Sequence, residues 1–578
     1  MKQHELGLLF DQMADILEYR GENIFRIRAY RRASQNLLSF SGDLERMMQA
    51  GELQEISGIG PDLAEKITEY LSTGRIAALE KMRRTIPKGL LELLEIPGVG
   101  PKTAQLLAQR LRISTVQQLE AAIRAHTLSK LPGFQKKKEE NILKGIEILR
   151  KGRERMHLGL ALPLAAQLIE FLRKLPGVTR VSTAGSLRRM RETIGDCDVL
   201  AASARPAAVI EAFTKSHFCS RVLGAGTTKA SIVTPQGIQV DLRVVKPESF
   251  GAALQYFTGS KEHNVRLREL AIRKGLKLNE YGVFRTRTNA RIGGREEEEM
   301  YKALGLPWIP PELREDSGEL EAAKAGRLPR LVELRDVRGD FHIHTTWSDG
   351  SDELEEMAKA GAARGYEYLA ICDHSQSLKF AHGMSIPRLR QQMRKIQVIN
   401  RSSKCRLLMG SEVDILAEGR MDYPDRVLAE LDFVVGSIHS GFTQPKAMLT
   451  RRLITAMRNP YVTLIAHPTG RLMGQRDPYP IDLAAVFKAA KETGTAMEIN
   501  AFPKRLDLCD TAARQAQESG VMLAVSTDSH SLDQLDQISI GLGVARRAWI
   551  EPSQLLNCLP LAGLREWIGR KRDEALRR

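Results

Sequence analysis

After residue 340 the chain repeats one step six times: a short apolar run with a histidine or carboxylate at or just beyond its end. The copies are His342-x-His344 with Asp349 following, Cys372-Asp373-His374, Gly410-Ser411-Glu412, Ser437-Ile438-His439, Ala466-His467-Pro468 and Thr527-Asp528-Ser529-His530. Apolar runs at 368–372, 433–437, 463–466, 495–500 and 522–527 alternate with helical stretches. That alternation predicts a parallel α/β architecture, open or barrel-like, whose strand C-termini carry the chemistry. Nine ligands are then expected to converge: His342, His344, Asp349, His374, Glu412, His439, His467, Asp528 and His530. A mixed imidazole and carboxylate set suits zinc or manganese, and several clustered ions rather than one. A lone His-x-His is usually incidental; nine ligands at six strand ends are not. His382 has no strand context and is expected at the surface.

A second constellation lies between 176 and 245, where the runs 178–184, 196–202 and 239–245 read as strands between Gly-containing turns. Gly185-Ser186-Leu187-Arg188-Arg189 follows the first run, and Asp196-Cys197-Asp198 opens the second. Residues i and i+2 of a strand share a face. Asp196 and Asp198 therefore present two carboxylates side by side, which repel unless cations sit between them. Asp241, in the third run, adds another. Three carboxylates on two strands can hold two divalent ions for an in-line displacement at phosphorus.

Residues 1 to about 150 read as short helices separated by Gly-Pro turns. One turn recurs. Ile56-Ser57-Gly58-Ile59-Gly60-Pro61 has a second copy in Ile96-Pro97-Gly98-Val99-Gly100-Pro101, and Leu131-Pro132-Gly133-Phe134 is a weaker third. A Gly-x-Gly turn opening onto a helix lets phosphate approach backbone N–H groups. Gly58, Gly60, Gly98 and Gly100 are thus candidate contacts to a DNA backbone, without sequence preference. The copies resemble helix-hairpin-helix motifs.

Gly185-Ser186 with Arg188-Arg189, then Asp196-x-Asp198, Asp241 and Tyr256-Phe257-Thr258-Gly259-Ser260, resembles the family X DNA polymerases, the group typified by DNA polymerase beta. The resemblance implies that Asp196 and Asp198 bind both ions, Mg²⁺ or Mn²⁺, and that Asp241 assists activation of the primer 3′-OH. Gly185, Ser186 and Arg189 would hold the triphosphate of a dNTP. Tyr256, Phe257 and Gly259 would sit against its sugar, Asn264 would contact its base, and Arg268 would contact the template strand. Lys66 falls where the family's lyase lysine stands; the other reading is a helix lysine that only contacts phosphate. The segment from Asp340-Phe341-His342-Ile343-His344-Thr345 onward resembles the PHP domain, a distorted seven-stranded barrel with a trinuclear centre, here of Zn²⁺ and/or Mn²⁺. Glu498 and Asn500 follow that pattern with their role open, and Lys504 and Arg505 could meet substrate phosphate.

The combination resembles bacterial-type family X polymerases. It implies a multidomain chain: an all-α helix-hairpin-helix N-terminal region, an α+β nucleotidyltransferase palm with thumb, and a C-terminal distorted (β/α)7 PHP barrel. The expected divisions are a small DNA-binding domain at 1–80, fingers at 81–150, palm at 151–257, thumb at 258–314, linker at 315–338 and PHP phosphoesterase at 339–578. The implied activities are template-directed filling of short gaps in DNA repair and 3′–5′ exonuclease, with abasic-site endonuclease or 3′-phosphatase as variants of the second. A non-templated nucleotidyltransferase and a DNA-binding scaffold are the competing readings. Expected partners are gapped or nicked DNA and dNTPs.

Composition bounds the rest. A formal net charge of +16 favours a polyanionic partner. No apolar run reaches the ~20 residues of a membrane span, and no secretory signal is visible. Six scattered cysteines with no C-x-x-C pair fit a reducing cytoplasm. A monomer is expected.

Overall fold

The computed structural model describes residues 2–39, 44–56, 58–96, 99–128, 138–140, 142–143, 145–146 and 155–577. The N-terminal part is helical and has two apolar centres. Helices α1 (Lys2–Tyr19) and α2 (Ile24–Ser39) bury Phe10, Leu17, Tyr30 and Leu37, and Ile56, Ile59, Leu63 and Ile67 join that core. A separate cluster holds Leu90, Leu93, Ile96, Val99, Ala104 and Leu107.

The two hairpins share one geometry. Gly60 (φ −85°, ψ 177°) precedes α3 (Pro61–Thr73), and Gly100 (φ −80°, ψ 172°) precedes α4 (Pro101–Leu111). In each, the apolar residue between the glycines donates to an isoleucine carbonyl, Ile59 to Ile56 at 3.0 Å and Val99 to Ile96 at 2.9 Å. Proline at the first helical position is preset for the helix and lacks an N–H that would stay unpaired there. Gly58 holds φ +78°, which an L side chain rarely adopts. Gly98 and the weaker third turn at 131–134 lie outside the described residues.

The middle of the chain forms a five-stranded sheet: β1 (Val178–Thr183), β2 (Cys197–Ser203), β3 (Arg221–Ala225), β4 (Lys229–Val233) and β5 (Gln239–Val245), in the order β1-β2-β5-β4-β3. β2 and β5 are parallel neighbours, and Asp198 is in register with Asp241. Val240, Leu242 and Val244 point into one apolar core, so Asp241 and Arg243 take the other face. On that face Leu200 and Ala202 lie under α5 (Phe250–Thr258). Asp198, two residues earlier, remains half-buried beyond that apolar cluster.

Helix α6 (Lys261–Arg273) and three short antiparallel strands follow. Their core is anchored by Arg314, fully buried among Glu297, Tyr301 and Trp308. Its Nη1 donates to Glu297 at 2.6 Å, and Arg188 Nη2 donates to the same carboxylate at 2.8 Å.

The stretch 315–338, expected as a linker, carries one short helix at Glu319–Lys324 and packs against its neighbours. Glu319, Leu320, Ala323, Leu331 and Val332 are buried, and the Val332 N–H donates to the Ile550 carbonyl at 3.2 Å. Proline, glutamate and arginine there are turn formers and surface charges between apolar residues that pack on both neighbours.

The C-terminal part is one seven-stranded parallel sheet in sequential order: β6 (Gly339–Ile343), β7 (Tyr368–Ile371), β8 (Arg406–Asp414), β9 (Phe433–Ser437), β10 (Leu464–Ile465), β11 (Ala496–Asn500) and β12 (Leu523–Ser526). Its ends nearly close. His344 N–H donates to the Ser529 carbonyl at 2.8 Å, and Ile343 pairs with Ser529 as an isolated parallel bridge. At the opposite end the buried Asn557 amide spans β6 and β12, donating to the Gly339 and Val525 carbonyls at 2.8 and 2.7 Å. Phe341 and Phe433 stack within, at 4.8 Å between ring centroids. Every residue of these strands is buried except Arg406 and Met409 of β8, which are partly buried, as a parallel sheet covered on both faces requires.

Two candidate metal centres

The first centre is built by the β2–β5 register. Ligand oxygens of Asp196, Asp198 and Asp241 lie within 4.8 Å of one another. Asp196 stands one residue before β2, and the buried Cys197 separates the two carboxylates so that both face outward. Burial and the charges of Asp196 and Asp241 push Asp198 up to about 7. Asp196 is raised too, by burial and by Asp241. Burial also pushes on Asp241, but hydrogen bonds from Ser231, Gln239 and Lys229 outweigh it and hold it low. Such frustration among three carboxylates is relieved by positive charge placed between them.

Gly185 makes the approach possible. It sits at φ +57°, and a Cβ there would lie 2.0 Å from Asp198 Oδ2. Ser186 is half-buried in the same turn. Arg189 Nε donates to Glu315 at 3.0 Å, and its Nη1 donates to the Thr258 carbonyl. Gly259 leaves room for it, since a Cβ there would meet Arg189 Nη1 at 3.1 Å. Tyr256 and Phe257 meet edge to face, and Arg243 lies over the Phe257 ring at 4.3 Å. Asn264 donates to the Tyr256 carbonyl at 2.7 Å and accepts from Gln255 at 2.7 Å. Arg268 is exposed on α6, with its Nε donating to the Asn264 carbonyl at 3.3 Å.

Lys66 is elsewhere, on α3. Its Nζ donates to the Asp62 carboxylate at 2.6 Å, so chemistry at that nitrogen first has to break an ion pair.

The second centre gathers at the C-terminal ends of the barrel strands. Three ligand groups form: His344, Asp349, His374 and His530; His342, His344 and Asp528; and His374, Glu412 and His439. His344 and His374 are each shared by two groups. His467 belongs to none of the three, but its Nε2 is 3.0 Å from Glu412 Oε1. Imidazoles and carboxylates of the site contact one another, yet several donors lack a partner. His342 Nε2 and both ring nitrogens of His344 are buried without a hydrogen bond, a state that is costly unless a ligand supplies the partner. Burial and the neighbouring His530 and His374 push His344 down to about 3, which keeps its imidazole neutral, as ligation requires.

Residues behind the ligands aim them. His342 Nδ1 meets Glu498 at 2.8 Å, which turns Nε2 inward; His439 Nδ1 meets Asp414 at 2.6 Å. Glu498 also accepts the His467 N–H at 2.6 Å, and Asn500 donates to Asp528 at 3.1 Å. A carboxylate on the outer nitrogen fixes the tautomer and raises ligand basicity. The sequence marks Glu498 and Asn500 without a role and gives no sign of Asp414, whose importance depends on which ring nitrogen it faces. Arg505 reaches Asp528 at 3.4 Å at the rim, and His382 is exposed.

Family models match four segments: a helix-hairpin-helix domain at 1–76, a SAM-like helix-hairpin-helix tandem at 90–147, DNA polymerase beta thumb at 253–315 and PHP domain at 340–501. "DNA polymerase/3'-5' exonuclease PolX" of Bacillus subtilis is 39% identical over 573 residues, 99% of this chain and 100% of that protein. A "Probable phosphatase" of a Thermoanaerobacter species is 30% identical over 40% of this chain and 95% of its own length. Another, of Acetivibrio thermocellus, is 34% identical over 33% of this chain and 78% of its own.

Proposed function

Because the chain belongs to the bacterial family X DNA polymerases that carry a PHP domain, we propose that its two centres extend and trim the same DNA 3′ end. It is a DNA-directed DNA polymerase that fills short gaps in DNA repair, with metal-dependent 3′–5′ exonuclease activity in the barrel. The observation that carries the assignment of the first site is the registered pair Asp198–Asp241 with Asp196 beside it, all within ligand reach.

In this reading Asp196 and Asp198 would hold two divalent ions, Mg²⁺ or Mn²⁺, and Asp241 would assist activation of the primer 3′-OH. Ions in that cradle would supply positive charge that stabilises the negative charge on the attacking and leaving oxygens. Gly185, Ser186 and Arg189 bind the triphosphate, with Arg189 offering a planar fork that matches phosphate. Tyr256, Phe257 and Gly259 form the sugar wall, Asn264 meets the base and Arg268 the template. The hairpins at Gly58–Gly60 and Gly98–Gly100 grip DNA backbone phosphates. Lys66 is the candidate lyase nucleophile, and its pairing to Asp62 makes phosphate contact the simpler role.

In the barrel the nine ligands hold a trinuclear centre of Zn²⁺ and/or Mn²⁺, which would activate water and neutralise a scissile phosphodiester. Glu498 and Asp414 keep the imidazoles oriented, and Arg505 with Lys504 meets substrate phosphate. The resemblance to phosphatases favours 3′-phosphatase activity as a variant of the same chemistry, beside abasic-site cleavage. The described residues contain no helix long and apolar enough to cross a membrane. A monomer working in the cytoplasm is the corresponding cellular picture.

Extension of a labelled one-nucleotide gap with dNTPs or NTPs, in Mg²⁺ or Mn²⁺, tests the polymerase assignment. Template-matched dNTP addition is expected; exclusive NTP addition to RNA would contradict it.

A further inference from the structure

Arg547 is the last residue of helix α7 (Ile538–Arg547), which follows the ligands Asp528 and His530 in the chain. Its guanidinium points out of the barrel towards the sheet. Nη1 donates to the Arg189 carbonyl at 2.9 Å and to Glu315 Oε1 at 2.8 Å. Nε and Nη2 hold Asp510 at 2.8 and 2.6 Å. Arg189 donates to the same Glu315 oxygen at 3.0 Å. The charges therefore alternate, Arg189, Glu315, Arg547, Asp510, across the boundary between the two catalytic units. Arg547 is only 3% exposed and Arg189 13%, so neither charge is screened as a surface ion would be.

The backbone agrees. Met190 holds φ +53°, a conformation disfavoured for its side chain. Arg547 pins the carbonyl just before it, and α7 packs on it, since a Cβ at Gly543 would lie 2.5 Å from Met190 Cε. Two residues on, Arg471 of the barrel pairs with Glu192 at 2.6 Å. The turn that carries Ser186 and Arg189 is thus held by two arginines from the exonuclease unit.

We propose that Arg547 is a positioning residue of the polymerase's nucleotide site: by sharing Glu315 it weakens that carboxylate's hold on Arg189 and leaves Arg189 available to the triphosphate. The proposal rests on the reading of Arg189 as a triphosphate contact. Without Arg547, Glu315 would be neutralised mainly by Arg189, because Arg191 stands farther away, at 3.9 Å. An incoming triphosphate would then have to break a full ion pair.

The test is steady-state filling of a one-nucleotide gap by the full-length chain and its R547M, E315Q, R547M/E315Q and R189A variants, with exonuclease activity measured in parallel. R547M is expected to raise KM for dNTP about tenfold, a loss of ground-state binding, with kcat and exonuclease rate nearly unchanged. E315Q in the same chain is expected to return KM towards wild type, because no charge remains to hold Arg189. E315Q alone is expected to lower KM or leave it unchanged, which keeps the proposal testable even if R547M fails to fold. An unchanged KM in R547M, a raised KM that E315Q does not relieve, or a raised KM in E315Q alone would overturn the proposal. R189A separates the two readings. If it raises KM while R547M does not, only the proposal falls; if it leaves KM unchanged, the triphosphate assignment falls and the proposal with it.

Discussion

Gly185 shows how one missing methyl group shapes a site. Its φ of +57° is strained for other residues, and an added Cβ would overlap the Asp198 carboxylate at 2.0 Å. Gly185→Ala is therefore expected to reduce gap filling by on the order of 10²-fold, as displacement of a preorganised charge group does, while exonuclease activity and far-UV circular dichroism stay unchanged. Near-normal extension by that variant would contradict the cradle geometry. Glu297 makes the complementary case. Burial alone would raise its carboxyl, but Arg314 and Arg188 outweigh burial and hold it well below the ordinary range. A depressed pKa contributes stability above pH ~4.5 that is lost as pH falls towards the folded value. Arg314→Met removes one partner from a buried pair and should cost about 3–5 kcal/mol, read as an earlier transition of this unit in urea with retained barrel activity.

At the scale of elements, the hairpins and the strands were legible to different depths. The runs at 239–245 and 433–437 match β5 and β9, because strict alternation in one and an unbroken apolar run in the other leave little freedom in register. β10 is shorter than its run suggested, only Leu464–Ile465, since His467 leaves the strand with φ +29°. The residues that meet in the three barrel groups were legible because they recur at or shortly past the ends of apolar runs. Asp414 and Arg547 were not, because their partners lie 25 and 232 residues away and are chosen by packing. Along 315–338, local turn chemistry masks apolar residues that tertiary packing buries. The hairpins carry their own prediction. Gly60→Glu and Gly100→Glu put a carboxylate where phosphate is expected. Each should weaken gapped-DNA binding alike across sequences and reduce the slope of log K against log salt by about one. Unchanged slopes in both variants would remove the hairpins from the DNA interface.

Across the whole molecule, two ligand sets of different character share one chain. Three carboxylates make up one, whereas the other mixes carboxylates with histidines, two of which keep buried, unpartnered ring nitrogens facing the site. The two sets lie on separate sheets, while α7 and Arg471 join the units through buried charge, so ligand substitutions in one set should spare the activity of the other. The most direct measurement is one reaction series on a labelled one-nucleotide gap, with and without dNTPs, for the wild-type chain, D198A and H344A. The account predicts that D198A loses extension and keeps 3′ trimming, and that H344A loses trimming and keeps extension. Loss of both activities in either folded variant, or retention of extension by D198A, would contradict it.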